Sequence, residues 1–319
     1  DPWFELGRIA HGLATPSVPS VSVLVDALTA TLAFALQGVA LGAFCGLLLA
    51  LLYRYVIVRR SAAFLRAIHE LFWALLCVQF LGMSTLAGVL AIAIPYTGTF
   101  AKIYGELFEE NDPTPADSLP LNSGLLSRFF YTSMPQAFAA MVSYTSYRLE
   151  CGIRSSAVLG FIGLPTVGYY LESALKQGHY SDAAGLFYAL VVVVATMRFW
   201  LRRRLLPVYL VSAIIALPPI AQFDTAFARQ FFHHDIIPAP IRAGQGGAAL
   251  WQWFEALILQ QVMPGVINTL ILGLLSLIAT SLFALVAFPF ISPLFGNRLQ
   301  RGFSHVGLVF LRSAPEYFL

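Results

Sequence analysis

The sequence predicts an all-α, polytopic membrane protein, and three observations support this class. Hydrophobic residues make up 58% of the 319 residues and charged residues only 11%, whereas a soluble domain is about 25% charged. The mean hydropathy is +0.76. Several uncharged stretches exceed the roughly 20 residues that a helix needs to cross a bilayer. Because backbone in lipid must satisfy its own hydrogen bonds, these stretches are predicted to be helices.

The predicted spans follow the uncharged stretches in chain order. Residues 27–53 form the first span. The uncharged stretch 71–101 is too long for one helix, and Gly82-Met83-Ser84-Thr85 offers a break, so two helices are predicted, over about 62–81 and 86–108. The later spans are predicted over residues 129–147, 183–197, 205–223 and 265–290, with a last helix from about 303.

Basic residues set the predicted orientation, because Lys and Arg mark the cytoplasmic side of a membrane. Three basic clusters follow predicted spans: Arg54, Arg59 and Arg60; Arg202 to Arg204; and Arg298 with Arg301. Threading the spans in order places all three clusters in the cytoplasm. The acidic, Pro-rich loop 106–128 then also lies in the cytoplasm, whereas residues 1–22, 148–182 and 224–262 lie outside.

The chain contains an internal repeat. Residues 64–72 match residues 310–318, and both segments read Phe-Leu-Arg with a glutamate four residues after the arginine. Both copies consist of a span, a basic loop and an Arg-x-x-x-Glu helix in the same orientation, which predicts a parallel repeat of the kind found in transporters. Arg66 and Glu70 are predicted to share one helix face, either as a local ion pair or at the cytoplasmic mouth of a polar path.

Charged residues cluster directly after the span 129–147. A Gly-punctuated segment follows them, and this combination suggests a re-entrant element over 155–172 that lines a polar path. An arginine fork fits a tetrahedral oxyanion, and serine hydroxyls add donors. Glu150 lies four residues before Arg154, so the two form either a helix-end ion pair or an anion site in which Glu150 holds the guanidinium. The predicted path residues are Arg148, Glu150, Arg154, Ser155 and Ser156.

Other patterns favour structural roles. Gly38, Gly42 and Gly46 repeat every four residues and predict a seam of close helix packing. Cys45, Cys77 and Cys151 are far apart and are interpreted as packing residues. The triplet 233–235, His-His-Asp, lacks a third ligand at a useful spacing, so it is interpreted as exposed loop and no metal site is predicted.

Several motifs resemble the permease subunits of phosphonate-type ABC importers. The family's Tyr-Arg-x-Glu, Arg-Ser/Thr and Leu-Gly-x-x-Gly elements are matched by Tyr147-Arg148-Leu149-Glu150, Arg154-Ser155-Ser156 and Leu159-Gly160-Phe161-Ile162-Gly163. Gly168, Leu171 and the run Arg202–Arg204 are also similar. The resemblance implies a type I ABC importer permease fold in a fused, two-copy chain. We expect an outer segment over 1–22, a first repeat over 23–205 and a second repeat over 206–319 that stops within a helix.

The resemblance also implies a loop that couples the permease to its ATPase. The family's Glu-Ala-Ala start, its glycine seven residues later and its closing Leu-Pro correspond here to Ala116-Asp117-Ser118, Asn122 and Met134-Pro135. Only the closing proline is retained, so the contact with the ATPase departs from the family's pattern. The predicted coupling residues are Glu109, Glu110, Asp112, Asp117, Asn122, Gly124 and Pro135.

The implied function is import of a phosphonate, phosphite or phosphate-like oxyanion across the bacterial inner membrane. The implied partners are a periplasmic phosphonate-type binding protein, ABC ATPase subunits and the lipid bilayer, with no nucleic acid. The chain has no Gly-x-x-x-x-Gly-Lys-Ser/Thr loop, so ATP and Mg are expected on the ATPase, with no cofactor and no enzyme activity here. An ion-coupled secondary transporter would need an acid near the bilayer midplane, and a lipid-modifying membrane enzyme would need a catalytic cluster.

Overall fold

The computed structural model describes residues 2–18, 20–120, 123–202, 205–217, 225–292, 294–295 and 297–313. All regular elements of the described residues are helical, which confirms the predicted all-α class. The chain folds as two compact units that divide between Thr225 and Ala226.

The first unit contains eleven α-helices among its described residues. They are α1 (Pro2–Ala14), α2 (Val21–Ala50), α3 (Val56–Ala67), α4 (Glu70–Leu81), α5 (Thr85–Glu109), α6 (Thr114–Asp117), α7 (Leu125–Arg128), α8 (Met134–Val158), α9 (Val167–Lys176), α10 (Tyr180–Trp200) and α11 (Leu206–Ala216). A π-helical turn, Phe129–Ser133, joins α7 to α8.

The second unit is dominated by one long apolar helix. Its described helices are α12 (Thr225–Gln230), α13 (Ala239–Arg242), α14 (Gly247–Leu257), α15 (Met263–Ile291) and α16 (Arg298–Ser313). Helix α12 begins at Thr225, the boundary residue. A π-helical turn, Ile258–Val262, makes α14 and α15 continuous. The span predicted to start at residue 265 therefore begins at Gly247, because the residues before it are also apolar enough to continue the helix.

The described residues form a multi-pass membrane protein. Judged by length and composition, four helices can cross a membrane: α2, α5, residues 180–197 of α10 and the continuous helix Gly247–Ile291. Counting each of two bent helix pairs as one span gives six; these pairs are α3 with α4 and Phe129–Ile162 with α9. This confirms the predicted helical membrane class.

The predicted single helix over 62–81 is wrong. The chain bends by 91° between α3 and α4, because Ile68 adopts an extended conformation and His69 caps α4 by accepting the amide hydrogen of Leu71 on Nδ1, at 3.2 Å. Arg66 therefore lies in the last turn of α3 and Glu70 begins α4, so these two residues do not share a helix face. The corresponding pair in the second repeat is Arg312 and Glu316, and its side chains lie outside the part of the chain that the structure describes.

The predicted break near Gly82 is present. Helix α4 ends at Leu81, and Gly82 has a φ of 68°, a conformation that favours glycine. Ser84 then caps α5 by accepting the amide hydrogen of Ala87 at 3.2 Å. The two helices predicted from the uncharged stretch are thus separated where the glycine permits the turn.

The predicted end of the span 129–147 at residue 147 is wrong. Helix α8 continues to Val158, so the charged cluster lies within a helix and not after one. A 3-10 turn over Leu159–Ile162 follows, and the helix then bends by 54° into α9. At this bend a Cβ on Gly168 would lie 1.8 Å from the carbonyl oxygen of Ala157, so the two arms approach closely only because this residue is glycine.

Helix α2 fixes the position of this bend. The hydroxyl of Thr31, which is fully buried, accepts the amide hydrogen of Val167 at 2.9 Å. The same hydroxyl donates to the carbonyl of Ala27 at 2.7 Å. Thr31 therefore satisfies the first amide of α9 from a neighbouring helix, which a cap within the segment would otherwise have to do.

The core of the first unit is centred on the contact between α2 and α5. Gly38, Gly42 and Gly46 lie in this contact. A Cβ on each would stand 2.7, 2.8 and 2.5 Å from the Cβ atoms of Ile92, Tyr96 and Phe100, closer than real side chains approach. The three glycines thus allow the two backbones to pack at short distance, as small residues do in membrane helices.

Candidate functional site

A polar cavity of about 520 Å³ lies within the first unit. It is bounded by the bend between α3 and α4, by the middle of α5 and by the second half of α8. The lining residues are Arg66, Ile68, His69 and Glu70 at the bend, Pro95, Tyr96, Thr99, Lys102 and Ile103 on α5, and Tyr144, Tyr147, Arg148, Cys151, Arg154, Ser155 and Val158 on α8.

The α8 wall of the cavity follows the period of the helix. Tyr144, Arg148, Cys151, Ser155 and Val158 are three or four residues apart and therefore share one face. This stripe crosses residue 147, where the sequence prediction ended the helix. Had the helix been continued, the same spacing would have placed these residues on one face.

Arg148 is held by aromatic side chains. Its Nε donates a hydrogen bond to the Tyr144 hydroxyl at 2.8 Å. Its guanidinium carbon lies 5.9, 5.3 and 5.8 Å from the ring centroids of Tyr96, Tyr144 and Tyr147, within the range of cation–π attraction. The guanidinium is therefore oriented before any ligand arrives.

The cavity lies near the middle of α5. The hydroxyls of Tyr104 and Thr145 are 2.6 Å apart, and those of Tyr96 and Ser155 are 3.4 Å apart. Residue numbers fall along α5 as they rise along α8, so the two helices run antiparallel. Tyr96 is 11 residues from Thr85 at one end of α5 and 13 residues from Glu109 at the other. Ser155 therefore faces the middle of that helix.

Positive charge predominates in the cavity. Four basic side chains line it, namely Arg66, Lys102, Arg148 and Arg154, and among the described residues Glu70 is the only lining carboxylate. Lys102 also lies 3.5 Å from Glu106, which is on its own helix. With its guanidinium donors and its tyrosine and serine hydroxyls, this arrangement suits a small, multiply charged anion.

The predicted path residues separate into two groups. Arg148, Arg154 and Ser155 line the cavity, whereas Glu150 and Ser156 do not line it in the described part of the chain. Ser156 is fully buried and donates to the carbonyl of Ile153 at 2.8 Å. Sequence reasoning did not assign Tyr96, Lys102 or Tyr144 to the path. These residues line the cavity because of how α5 and α8 pack together, which their spacing in sequence does not reveal.

The predicted coupling loop is anchored to the start of α8. The side chain of Asn111 donates to the carbonyl of Ser133 at 2.8 Å. Gln136 accepts the amide hydrogen of Asp112 at 3.1 Å and donates to its carbonyl at 3.2 Å. Among the remaining predicted residues, Glu110 is the C-cap of α5, Asp117 ends α6, Gly124 has open space around it, Pro135 lies in the first turn of α8 and Asn122 lies outside the described residues.

Two hydrogen bonds and one ion pair order the entrance to this loop. Both the amide and the hydroxyl of Thr114 donate to Asp112, at 2.9 and 2.8 Å, and these bonds lower the pKa of that carboxyl below its ordinary value of 3.8. Arg59, near the start of α3, lies 2.7 Å from Glu109 at the end of α5. Nearby, burial raises the pKa of the Tyr53 phenol above its ordinary value of 10.0.

The triplet His-His-Asp at 233–235 belongs to the second unit. His234 is exposed and lies 2.9 Å from Asp235 within the second unit. Among the described residues no three His, Cys, Asp or Glu side chains come together as metal ligands.

Fold and cavity together define a helical membrane protein with a cationic binding site, and sequence relatives give this class a name. The chain is 30% identical over 142 residues to the phosphate-import permease protein PhnE of Mycolicibacterium smegmatis, covering 44% of this chain and 27% of that protein. It is 25% identical over 131 residues to the phosphite transport system permease protein PtxC of Stutzerimonas stutzeri, covering 41% of this chain and 48% of that protein. No protein-family model matches the chain.

A solved structure is also similar. The crystal structure of an amino acid ABC transporter with histidines aligns with a TM-score of 0.48 at 20% identity, over 59% of this chain and 93% of the solved chain. The chain spans only about a quarter to a half of the length of the two curated relatives above. The resemblance to phosphonate- and phosphite-type ABC permease subunits, proteins that are not enzymes themselves, is confirmed.

Proposed function

We propose that the chain is a transmembrane subunit of an ATP-driven importer for small phosphorus oxyanions such as phosphonate, phosphite or phosphate. The observation that carries this proposal is the cationic cavity, in which Arg148 and Arg154 project from one helix toward a shared space. Arginine binds tetrahedral oxyanions through paired hydrogen bonds. One of the two relatives is named for phosphate import and the other for phosphite transport, and both names point to the same ligand chemistry.

The cavity also has the location that alternating access requires. It borders the middle of α5, a helix long and apolar enough to span the membrane. A site near mid-depth can open to either side by a small shift of the surrounding helices, and each partner then biases that equilibrium. We therefore propose that a periplasmic binding protein delivers the anion and that ATP and Mg act on a separate ATPase at the cytoplasmic face of a bacterial inner membrane.

The loop after α5 is the proposed docking place for the ATPase. Its anchors at Asn111, Asp112 and Gln136 tie it to the start of α8, the helix that carries the cavity arginines. A movement of the loop would therefore be transmitted to the cavity through helix α8. Single cysteines at Asp112 and Asp117 should cross-link to the ATPase in the assembled complex; cross-links to the binding protein alone would reject this assignment.

The central test is reconstitution. The permease should be assembled in proteoliposomes with the ATPase and binding protein encoded beside it, and uptake of phosphite, methylphosphonate and inorganic phosphate should be measured. We expect ATP-dependent uptake of at least one of these anions and none with an ATPase variant that cannot hydrolyse ATP. Binding-protein-stimulated ATP hydrolysis without uptake of any oxyanion would retain the ABC class and reject the ligand class.

One observation also bears on the ion-coupled alternative. An ion-coupled secondary transporter needs an acid near the bilayer midplane, and Glu70 is a carboxylate that lines the cavity, so this alternative stays open. An ion-coupled transporter would continue uptake without ATP and would stop when an ionophore collapses the proton gradient. The ABC importer should show the opposite dependence.

A further inference from the structure

The cavity contains a charge imbalance that an anion carrier must control. Four basic side chains face one lining carboxylate among the described residues. In a site of reduced dielectric, an excess of positive charge holds an anion strongly, and a site that binds too tightly releases slowly. A transport site therefore benefits from an internal group that competes with the ligand.

From the position of Glu70 we propose that its carboxylate is this competitor, so that Glu70 sets the affinity of the cavity for its anion and promotes release. Glu70 comes from α4, whereas Arg148 and Arg154 come from α8. The carboxylate and the two guanidiniums thus belong to different helices that line the same space. This inference rests on the proposed transport of an oxyanion.

The bend directly before Glu70 allows the position of its carboxylate, and so its competition with the anion, to change. Glu70 is the first residue of α4, directly after a 91° bend of the chain. Because His69 caps α4 through Leu71, the start of that helix is a defined pivot. A change in the angle between α3 and α4 would move the carboxylate relative to the arginines of α8, so anion affinity would differ between the two access states.

Sequence reasoning considered a different carboxylate, Glu150, as the group that holds the guanidinium of Arg154. It lies on the same helix as Arg154 but does not line the cavity in the described part of the chain. A residue fixed on the arginines' own helix moves with them, whereas one on α4 can approach and withdraw. The two carboxylates therefore make different predictions.

The test uses the full permease complex in lipid nanodiscs and proteoliposomes, with phosphite, methylphosphonate and inorganic phosphate as probes. We expect Glu70→Gln to lower the Kd of the transported anion about tenfold and to slow its maximal uptake by a similar factor. Glu70→Asp, which keeps the carboxylate on a shorter side chain, should recover part of the difference from wild type in both Kd and maximal uptake. The matched control is Glu172→Gln, because Glu172 pairs with Lys176 on α9 at 2.6 Å and lies outside the cavity.

The outcomes separate this inference from the proposed function. Wild-type uptake with an unchanged or raised Kd in Glu70→Gln would overturn the competitor role alone. Equal losses of uptake in Glu70→Gln and Glu70→Asp, at constant Kd, would assign Glu70 a structural role at the bend. Slow anion release in Glu150→Gln and not in Glu70→Gln would assign the competitor role to Glu150 instead. A wild-type complex that neither binds nor transports any oxyanion would reject the proposed function, and this inference with it.

Discussion

Helix α5 presents two contrasting surfaces in the same stretch of sequence. Toward α2 it packs against Gly38, Gly42 and Gly46, where a single added carbon atom would stand within 2.8 Å of a neighbouring Cβ. Toward α8 and the bend it borders a cavity of about 520 Å³. Tyr96 belongs to both surfaces: its Cβ contacts Gly42 and its hydroxyl reaches Ser155.

The difference teaches how a membrane protein keeps an open polar site between helices. Lipid provides little hydrophobic drive for helix association, so close van der Waals packing must supply it. The glycine seam provides that packing on one side of α5, and this leaves the opposite side able to hold charged groups and space. We therefore expect changes in the seam to affect folding and changes in the cavity to affect transport.

The largest effect is expected from filling the seam. Gly46→Leu would place side-chain atoms inside Phe100, whose Cβ is 2.5 Å from the added Cβ position; overpacking of this kind costs about 1–3 kcal/mol or more. Thermal melting and gel filtration in detergent should show a lower Tm and loss of monodisperse protein. Gly273→Leu is the matched control, because Gly273 on α15 has nothing within 4 Å. Equal stability of the two variants would show that the seam does not set the fold.

Removing a cavity arginine should leave the fold intact and impair transport. Hydrogen bonds to charged groups contribute about 1.5–3 kcal/mol, so Arg154→Ala should reduce the apparent affinity of uptake about tenfold to a hundredfold. Arg154→Lys keeps the charge but loses the forked pair of donors, so its apparent affinity should lie between those of the wild type and Arg154→Ala. The control is Arg229→Ala at an exposed position. Normal uptake by a folded Arg154→Ala protein would leave Arg154 as part of an ion pair only.

A smaller effect is expected from loosening Arg148. Tyr144→Phe removes the hydroxyl that accepts from Arg148 Nε at 2.8 Å and keeps the ring. A hydrogen bond of about 0.5–1.5 kcal/mol corresponds to a KM raised about two- to tenfold, measured by initial uptake rates. Tyr131→Phe, at a residue 76% exposed, should leave KM unchanged. A reduced maximal rate at constant KM would contradict a positioning role for Tyr144.

The smallest effect is expected in the loop, away from both surfaces of α5. The pKa of Asp112 is lowered in the folded protein because Thr114 donates to its ionised form. This stabilisation is therefore complete above the ordinary value of 3.8 and is lost as the pH falls through the lowered pKa. Hydrogen–deuterium exchange at Thr114 should be slow above pH 4 and accelerate below it, after correction for intrinsic rates. Asp112→Ala should show fast exchange at every pH; slow exchange in that variant would reject the capping role.

Local pattern predicted much of the architecture. Uncharged length located α2, α5 and α10, and the conformational freedom of Gly82 located the break between α4 and α5. The four-residue spacing of the α2 glycines was enough to propose a packing seam, because that period is set by the helix itself. These features depend on neighbours in sequence, which is why they could be predicted without knowledge of the fold.

Charge misled the prediction at both walls of the cavity. Helix α8 was ended at Arg148 because charge is costly in lipid, but within the protein that cost is offset by the hydroxyl of Tyr144 and by aromatic rings. Arg66 and Glu70 were placed on one helix because their spacing is helical, but His69 caps a new helix between them. At Arg148 the outcome was decided by aromatic side chains of α5 and α8, and between Arg66 and Glu70 it was decided by a local cap.

The sequence by itself determined that the chain is helical, crosses a membrane and carries arginines suited to an oxyanion, because composition, uncharged length and side-chain chemistry belong to each residue or to its near neighbours. The tertiary structure alone decided that Arg148, Arg154 and Ser155 face a space shared with Glu70 and Tyr96, and that Glu150 and Ser156 do not line it. Which side chains meet depends on how helices bend and pack, and no local pattern encodes the distance between residues 70 and 154.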